Sequence, residues 1–287
     1  MAESLLLLQK PNRWTARHLE VARVRVIQDV SAAELLGDFY PEDGDPEFEN
    51  IAEQLCGPSR EEMERSVETM HLTYDKTALI ALFEDLYMIL KVDVKQYRYW
   101  FKHWLCKLVE GIQFRTSSLT GLFVNTSRRT TDIRVDIPRL SRAHMKVDCT
   151  VLKFNKEEDS LTIPLAVLSI IKTKCEESVE ISRYEVPQCL AQTIMAYSRN
   201  PGLEQYYGFV INLDRTVLQI SKAVVGQAYL KSFWEDGSIT EDIQLHRAKK
   251  LDLLDRDGRR EFSRLIIGIS KFILANEQSK IIQEGLH

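Results

Sequence analysis

The apolar positions in the middle of the chain first follow a helical period. The segment VDVKQYRYWFKHWLCKLVEGI has apolar residues at steps of three and four, which predicts an amphipathic helix with one wide apolar face. The residues of this face are Tyr97, Trp100, Phe101, Trp104, Leu105 and Leu108. The segment TALIALFEDLYMILKV, from about Thr77, has a similar period and predicts another helix just before it. We expect the aromatic helix to pack on a large surface.

After Gly111 the apolar pattern takes the shorter period of strands. Five segments rich in Val, Ile, Leu, Phe and Tyr are bounded by Asn, Asp, Gly or Ser, which predicts five strands. They are TGLFVNTS, HMKVDCTVLKF, LTIPLAVLSIIKTK, YYGFVINLD and TVLQISKAV. The turns NKEEDS and NLDR predict antiparallel hairpins, the first between the second and third strands and the other between the last two.

Two further helices complete the predicted order. RYEVPQCLAQTIMAYSRN lies between the third and fourth strands, and its apolar side consists of Val186, Leu190, Ile194 and Tyr197. GRREFSRLIIGISKFILANEQ follows the last strand, with a stripe made of Phe262, Leu265, Ile266, Ile269, Phe272 and Ile273. The order is helix, three strands, helix, two strands, helix. It predicts an α/β or α+β fold in which helices flank one central mixed β-sheet.

The first seventy residues have a different character from the rest. An acidic loop, YPEDGDPEFEN, contains Pro, Gly and Asp residues that interrupt regular structure, and it separates HLEVARVRVIQDV from the later segments of the chain. We therefore predict two units: a small N-terminal appendage or lid at residues 1–70, and a main α/β domain at residues 71–287.

Composition and charge narrow the classes of function only a little. A chain of 287 residues with 44% hydrophobic residues can bury a large core, and a net charge of −4 gives no overall attraction to nucleic acid. Five dispersed cysteines without a C-x-x-C pair argue against disulfide frameworks and thiolate zinc sites. With no membrane-spanning apolar run, we expect an intracellular protein, cytoplasmic or nuclear. The basic run HRAKK near His246 is typical of a solvated helix face.

Motif searches exclude several cofactors and point to one hairpin. The chain has no G-x-G-x-x-G and no G-x-x-x-x-G-K-[ST], so we expect no nucleotide cofactor. The segment KVDCTVLK places Asp148 in one strand of the predicted hairpin, and Lys172 ends the partner strand. An aspartate on one strand and an acid-x-lysine on the next would hold a divalent metal ion and place an ammonium beside an attacked phosphate.

The element order and five segments resemble the PD-(D/E)XK nuclease-like domain of a group of fungal proteins, some of them fused to fungal-type kinase domains. The segments are VDCTVLK, IPLAVLSIIKTK, VPQCLAQTIMAYSRN, YYGFVINLDRTVLQIS and REFSRLIIGISKFI, and the resemblance spans residues 77–276. RWTARHLEVARVRVIQDVSAAELLG is also similar to the lead-in of such proteins. The resemblance implies a restriction-endonuclease-like fold and Mg²⁺-dependent phosphodiester cleavage.

One position departs from the family pattern. Two residues before Lys172, where the family has Asp or Glu, this chain has Ile170. In this fold class the acid is sometimes supplied by the following helix, which makes Glu185 a candidate ligand, and Glu110 is a second candidate from the preceding helix. The implied catalytic residues are Lys172, Asp148 and Glu185, and the implied metal ligands are Asp148, Glu185 and Glu110. Candidate nucleic-acid contacts are Arg128, Arg129, Arg134, Lys174, Gln188 and Gln192.

Three classes of function remain open at this point. The first is a catalytically impaired nuclease-like domain that binds or regulates nucleic acid or a protein partner. The second is an active Mg²⁺-dependent nuclease with a displaced acid. The third is an interaction or structural protein in which Lys172 and Lys174 only keep a strand end soluble, Asp148 lies on a solvent-exposed strand face and the face of Gln188 and Gln192 is solvated.

Overall fold

The computed structural model of the chain describes residues 14–69, 86, 94–116, 122–125, 131–135, 143–147, 149–155, 160–170, 178–214, 216–235 and 238–275. Its helices are α1 Ala16–Val21, α2 Ala32–Leu36, α3 Pro46–Leu55, α4 Arg60–Thr69, α5 Val94–Arg115, α6 Ser178–Arg199, α7 Gln227–Glu235 and α8 Arg256–Ala275. Its strands are β1 Val24–Val30, β2 Leu122–Asn125, β3 Thr131–Val135, β4 Ala143–Val147, β5 Cys149–Asn155, β6 Ser160–Ile170, β7 Gln205–Asp214, β8 Val217–Gly226, β9 Ile243–Ala248 and β10 Leu251–Asp252.

The strands form one large mixed sheet with helices on both faces, so the fold is α+β. Among the described residues the strand order is β1-β9-β8-β7-β6-β5-β2, and β10 also pairs with β8, which gives eight strands. Two neighbouring pairs are parallel, β1 with β9 and β6 with β7, and the other pairs are antiparallel. Strands β3 and β4 form a separate antiparallel hairpin.

Both predicted hairpins are confirmed. In the first, β5 pairs antiparallel with β6 and Cys149 lies opposite Leu168. In the second, β7 pairs antiparallel with β8 and Gln205 lies opposite Gly226. Helix α6 connects β6 to the parallel strand β7, as expected of a crossover connection.

One predicted strand is divided into two. The segment HMKVDCTVLKF contributes β4 to the small hairpin and β5 to the large sheet, where β5 lies between β2 and β6. The apolar alternation alone predicted a single strand, because both halves have the same period. Asp148, between the two strands, lies outside the described residues.

The sheet separates two hydrophobic cores, as the side chains of β7 illustrate. Phe209 and Ile211 contribute to a core with α3, α5 and α8, which we call the first core. Tyr206 and Val210 point to the opposite face and join a core with α6 and α7, which we call the second core. This alternation follows from the period of two along a strand, so a strand buried on both faces is apolar at almost every position.

The predicted apolar stripes occupy these cores as far as their side chains are described, which leaves out Tyr97, Trp100 and Phe101 of α5. Trp104, Leu105 and Leu108 of α5 are fully buried in the first core. The predicted stripe of α8 lies there too, with Phe272 at its partly buried edge, whereas the predicted side of α6 lies in the second core. Of the earlier predicted helix, the structure describes only Leu86, which is buried in the first core. No helix in the described ranges is long and apolar enough to cross a membrane.

Residues 14–69 are not an appendage. Strand β1 pairs in parallel with β9, with Val24 opposite Ile243, and Leu35 and Ile51 are buried in the first core. The predicted boundary at residue 70 relied on the acidic loop as a break between units. That loop is instead a local turn before α3, and the elements around it pack on α8.

A buried arginine of α8 forms hydrogen bonds with the N-terminal part, residues 14–69. The Arg259 guanidinium donates hydrogen bonds to the backbone carbonyl groups of Cys56 (2.6 Å) and Pro58, between α3 and α4. It also donates to the carbonyl groups of Leu253 (2.8 Å) and Leu254 (2.7 Å), just before α8. One side chain therefore supplies hydrogen bonds to buried and partly buried carbonyl oxygens of two separate segments.

The basic run HRAKK is not a helix face. Its first three residues belong to strand β9, and Arg247 is 1% exposed, whereas Lys249 and Lys250 are exposed. Ile243, Leu245 and Arg247 alternate along the strand and point towards the second core. The prediction of a solvated helix was wrong because a buried arginine is not expected from the sequence.

Candidate functional site

Three strand ends meet at one edge of the sheet. Strand β5 begins at Cys149, opposite Leu168 of β6, and β6 ends at Ile170. The parallel strand β7 ends beside it, since Ile170 pairs with Leu213. The sequence predicts the candidate nuclease site in the hairpin of β5 and β6, which reaches this edge. We call this region the strand-end edge.

Five of the predicted site residues fall outside the described residues. They are Asp148, Lys172, Lys174, Arg128 and Arg129. The backbone of Arg134 belongs to β3, opposite His144, and thus to the small hairpin rather than to the large sheet. Its proposed contact with nucleic acid stays a prediction.

Glu185, the candidate migrated acid, is held inside the protein by hydrogen-bond donors. The side chain lies on α6 and is completely buried. Its Oε2 accepts hydrogen bonds from Arg247 Nε (2.9 Å) and Nη2 (2.5 Å). Its Oε1 accepts from Ser221 Oγ (2.8 Å) and from the Asn212 amide. Both carboxylate oxygens are thus engaged by donors from three neighbouring strands.

The electrostatics of Glu185 agree with a structural role. Burial raises the pKa of Glu185, and the positive charge of Arg247 with the hydrogen bond from Ser221 opposes that rise. A metal ion at Glu185 would have to displace the Arg247 guanidinium, leaving a buried cation without its partner. In this arrangement Glu185 is the counter-ion of Arg247.

Gln188 and Gln192 do not lie on a solvated face. They are 3% and 0% exposed, so the predicted contact of these two residues with nucleic acid is wrong for this structure. The Gln192 amide donates to the Phe209 carbonyl group (3.0 Å) and accepts from the Phe209 N–H (3.1 Å). Pairing of β6 with β7 begins only at Val210, so Gln192 supplies partners to the β7 backbone just before the ladder starts.

Glu110, the second candidate metal ligand outside the hairpin, lies in a solvent-exposed environment. It is exposed near the end of α5, on the same helix as His103 and Lys107. Partial burial raises its pKa, and the charges of His103 and Lys107 act in the opposite direction. Its carboxylate is therefore accessible to solvent, in contrast to that of Glu185.

Two side-chain oxygen atoms near the strand-end edge belong to residues that the sequence analysis did not predict as part of a site. Asn212 Oδ1 and Asp214 Oδ1, on the same face of β7, are buried and have no hydrogen-bond partner among the residues that the structure describes. Their signal was the polar alternation in INLD at the end of an otherwise apolar strand. In the described part of the chain, no three His, Cys, Asp or Glu side chains are grouped to hold a metal ion.

Arg247 is the other residue of the site that sequence patterns missed. It contacts Glu185 across 62 positions of sequence, and the sheet pairs it with Ser221 on the neighbouring strand. The alternation in IQLHRA marks the strand, yet it gives no hint of an ion pair.

Comparison with known proteins adds no further assignment. No protein-family model matches the sequence, and no curated protein matches it significantly.

Proposed function

We propose that this protein is a restriction-endonuclease-like domain with an incomplete metal site, which acts by binding nucleic acid or a protein partner rather than by cleavage. One observation carries the proposal: the order of elements around the strand-end edge. Helix α5 precedes an antiparallel set, β2-β5-β6, and α6 then leads to β7, parallel to β6. This is the order that the resemblance to PD-(D/E)XK domains implies.

The chemistry of two positions supports the loss of cleavage. Ile170 stands where the family pattern has an acid, and a hydrocarbon side chain offers no oxygen to a cation. Mg²⁺ requires near-octahedral oxygen ligands and gives up water reluctantly, so a missing carboxylate weakens its site. Glu185 does not compensate, because Arg247, Ser221 and the Asn212 amide occupy its oxygens.

The direct test restores the acid. Three proteins would be compared: the native protein, Ile170→Glu and Ile170→Gln. Each would be incubated with labelled single- and double-stranded DNA and RNA in the presence of Mg²⁺ or Mn²⁺. We expect cleavage only with Ile170→Glu, because the amide of Ile170→Gln has similar size but no charge. Adding Lys172→Ala to Ile170→Glu should abolish the gain, since Lys172 would stabilise charge on the phosphate.

Metal binding gives a test that does not depend on the correct nucleic acid. Calorimetric titration of Mg²⁺ and Mn²⁺ into the native protein should show at most weak binding, and Ile170→Glu should bind more tightly. Asp148→Ala is the control, because it removes the carboxylate that the sequence predicts in the hairpin itself. Tight binding by the native protein that Asp148→Ala abolishes would contradict the proposal of an incomplete site.

A second candidate function is an active nuclease with a displaced acid. Two observations favour it: the accessible carboxylate of Glu110, and Asp214 Oδ1 at the strand-end edge, which has no hydrogen-bond partner among the described residues. In that case the native protein would cleave nucleic acid with Mg²⁺, and Lys172→Ala would abolish cleavage. If neither the native protein nor Ile170→Glu binds metal or nucleic acid, a plain interaction protein becomes the better assignment.

A further inference from the structure

One face of the sheet is open at the end where β7 begins. On the face of the first core, two rows of side chains cross four neighbouring strands in the order β1, β9, β8, β7. The outer row is Arg25, Gln244, Val224 and Tyr207, and the inner row is Ile27, His246, Lys222 and Phe209. Seven of these side chains are partly or fully exposed, and Phe209 alone is buried. We call the two rows the open face.

The exposure distinguishes the open face from the rest of the sheet around it. On the opposite face of the same strands, Leu245 and Val225 are completely buried in the second core. Farther along the first-core side, Ile211 and Ile220 are buried in the first core. The helices of the first core therefore cover only part of their side of the sheet and leave the two rows accessible.

The open face carries positive charge, and none of its eight side chains is acidic. Arg25 is exposed, and Lys222 Nζ donates a hydrogen bond to the Leu35 carbonyl group (2.8 Å). Within the described ranges, no carboxylate forms an ion pair with either cation. Burial lowers the pKa of Lys222 to about 8, so its amine is still mostly protonated at pH 7. Burial and then the charge of Lys222 lower the pKa of His246, which keeps its ring neutral.

Aromatic rings line a hollow next to the outer row. Tyr207, Phe39 and Phe272 belong to the lining of a cavity of about 450 Å³, and all three are partly exposed. The rings of Tyr207 and Phe39 each pack edge-on against Phe272, at 5.0 and 5.5 Å. The polar lining residues Glu204 and Gln205 are exposed. The hollow therefore offers ring surfaces and hydrogen-bonding groups beside a positively charged stretch of sheet.

We propose that the open face binds single-stranded nucleic acid, with a phosphate group against Arg25 and a base in the aromatic hollow. Neighbouring strands lie about 4.8 Å apart, so the rows extend roughly 14 Å from β1 to β7, enough for a few nucleotides. Sheet faces with accessible rings and basic side chains are a recurring platform for single strands, because every base has a ring face that stacks. The Glu204 carboxylate suits the exocyclic amine of a base.

A single strand matches the open face better than a duplex or an acidic peptide does. A duplex keeps the faces of its bases inside the stack, so it cannot place one in the hollow. An acidic peptide would pair with Arg25 but would leave the rings unused and would meet the Glu204 carboxylate. The inference rests on the nucleic-acid-binding form of the proposed function. It places that binding away from the strand-end edge, because β7 begins at the open face and ends at that edge.

Fluorescence anisotropy measures the binding directly. The full chain would be titrated into labelled oligonucleotides of about 12 nucleotides: single-stranded RNA, single-stranded DNA and duplex DNA. EDTA would be present, so that no metal site contributes. We expect the native protein to bind single strands more tightly than the duplex, with an affinity that falls as the salt concentration rises.

Variants locate the binding on the molecule. Arg25→Glu should weaken binding of single strands at least about tenfold and reduce the slope of log affinity against log salt by about 0.7. The matched control is Arg17→Glu, which makes the same change of charge at an exposed position of α1, on the side of the second core. It should leave binding nearly unchanged. Tyr207→Leu keeps an apolar contact for Phe272 but removes a stacking surface, and should weaken binding about fivefold or more.

The possible negative results have different meanings. Equal weakening by Arg25→Glu and Arg17→Glu would overturn the open face as the site and leave the proposed function intact. Competition by polyglutamate as strong as that by single-stranded RNA would assign the face to an acidic protein partner instead. If the native protein binds no oligonucleotide, the inference fails together with the nucleic-acid form of the proposed function. The cleavage test with Ile170→Glu is independent of all three results.

Discussion

At the residue scale, the buried charge of Glu185 has one specific counter-ion. Glu185 and Arg247 form an ion pair with exposed side-chain fractions of 0% and 2%. Arg23 and Asp242 form a similar pair at the surface, where about half of each side chain is exposed. The two pairs have comparable geometry but different environments, and the buried pair should contribute far more to stability when it is broken.

We expect Arg247→Met to lower the free energy of unfolding by about 3–5 kcal/mol, because it leaves the Glu185 charge buried without a counter-ion. Adding Glu185→Gln should recover part of the loss, since an amide keeps an acceptor for Ser221 without the charge. Urea unfolding followed by circular dichroism measures both effects. Arg23→Met is the matched control, with an expected cost below about 1 kcal/mol. Equal costs for the two arginine variants would contradict a buried pair.

Lys222 of β8 is half-buried beside the rings of Tyr207 and Phe272, and this environment predicts a specific pH dependence of stability. The folded-state pKa is about 8, below the ordinary value of 10.5, so between these two values the unfolded chain holds more protons than the folded one. Stability from this group therefore rises as the pH increases from about 8 towards 10.5. The free energy of unfolding of the native protein should rise relative to that of Lys222→Met between pH 7 and pH 10. Burial, and then the charge of Lys222, lower the pKa of His246 from its ordinary value and so away from the compared range.

Unfolding titrations of the two proteins at a series of pH values would check this. A parallel dependence on pH in both proteins would show that the Lys222 ammonium is solvated in the folded state.

Single residues were the hardest feature to predict from the sequence. The position of Glu185 on a helix was correct, but its partner, Arg247, belongs to a strand that no pattern linked to that helix. The polar side of α6 was expected to face water, because glutamines are usually exposed. Gln192 is buried instead because a strand backbone needed partners, and such a need is visible only in three dimensions.

At the scale of elements, the contact between α6 and β7 depends on one glycine. A Cβ atom on Gly208 would lie 2.8 Å from the Cys189 carbonyl oxygen and 2.9 Å from its Cα. Both atoms belong to the helix backbone, which cannot yield as a flexible side chain would. Helix α6 therefore lies as close to the sheet as it does because residue 208 has no side chain.

We expect Gly208→Ala to destabilise the protein by about 1–3 kcal/mol, because the added methyl group forces α6 away from β7. The matched control is Gly202→Ala, in the turn just after α6, where a Cβ would meet only Asn200 Oδ1 at an ordinary distance of 3.6 Å. Its effect should stay within about 0.5 kcal/mol. Thermal or urea unfolding of the two variants compares them directly. If both alanines are tolerated equally, the helix-to-sheet spacing is not set by Gly208.

The elements with strong local patterns were the ones that the sequence predicted. Residues close in sequence determine two kinds of element, so the apolar pattern predicts both. They are long amphipathic helices, such as α5 and α8, and strands joined by short turns, such as β7 and β8. Strands β1 and β9 were missed because each is interrupted by polar residues and its partner is remote in sequence. The resemblance suggested the central order of elements, but the small β3–β4 hairpin has no place in it.

At the scale of the whole molecule, the N-terminal part completes both the sheet and the first core. Strand β1 covers the edge of β9, and Leu35, Phe48 and Ile51 are buried against the other elements. The contacts of Arg259 add a second, polar attachment. Removing this part would expose a strand edge and apolar surface together, which favours aggregation.

A chain that lacks residues 1–70 should therefore fail to fold cooperatively. We expect it to bind a hydrophobic dye and to unfold without a sharp transition, because β9 and α8 lose their partners. Dye fluorescence, circular dichroism melting and size-exclusion chromatography would test this against the full chain. A monomeric fragment with a sharp thermal transition would support the separate appendage that the acidic loop suggested.

The parallel pairing of β1 with β9 has a consequence for how the protein is made. The Arg23–Asp242 contact beside it joins residues 219 positions apart. At about 5–20 residues per second, a ribosome needs roughly 10–45 s to synthesise the stretch between them. During that time β1 has left the ribosome but has no strand to pair with. The sheet can close at this edge only after β9 has been synthesised, so β1 stays without its strand partner until then and is exposed to binding by a chaperone for nascent chains.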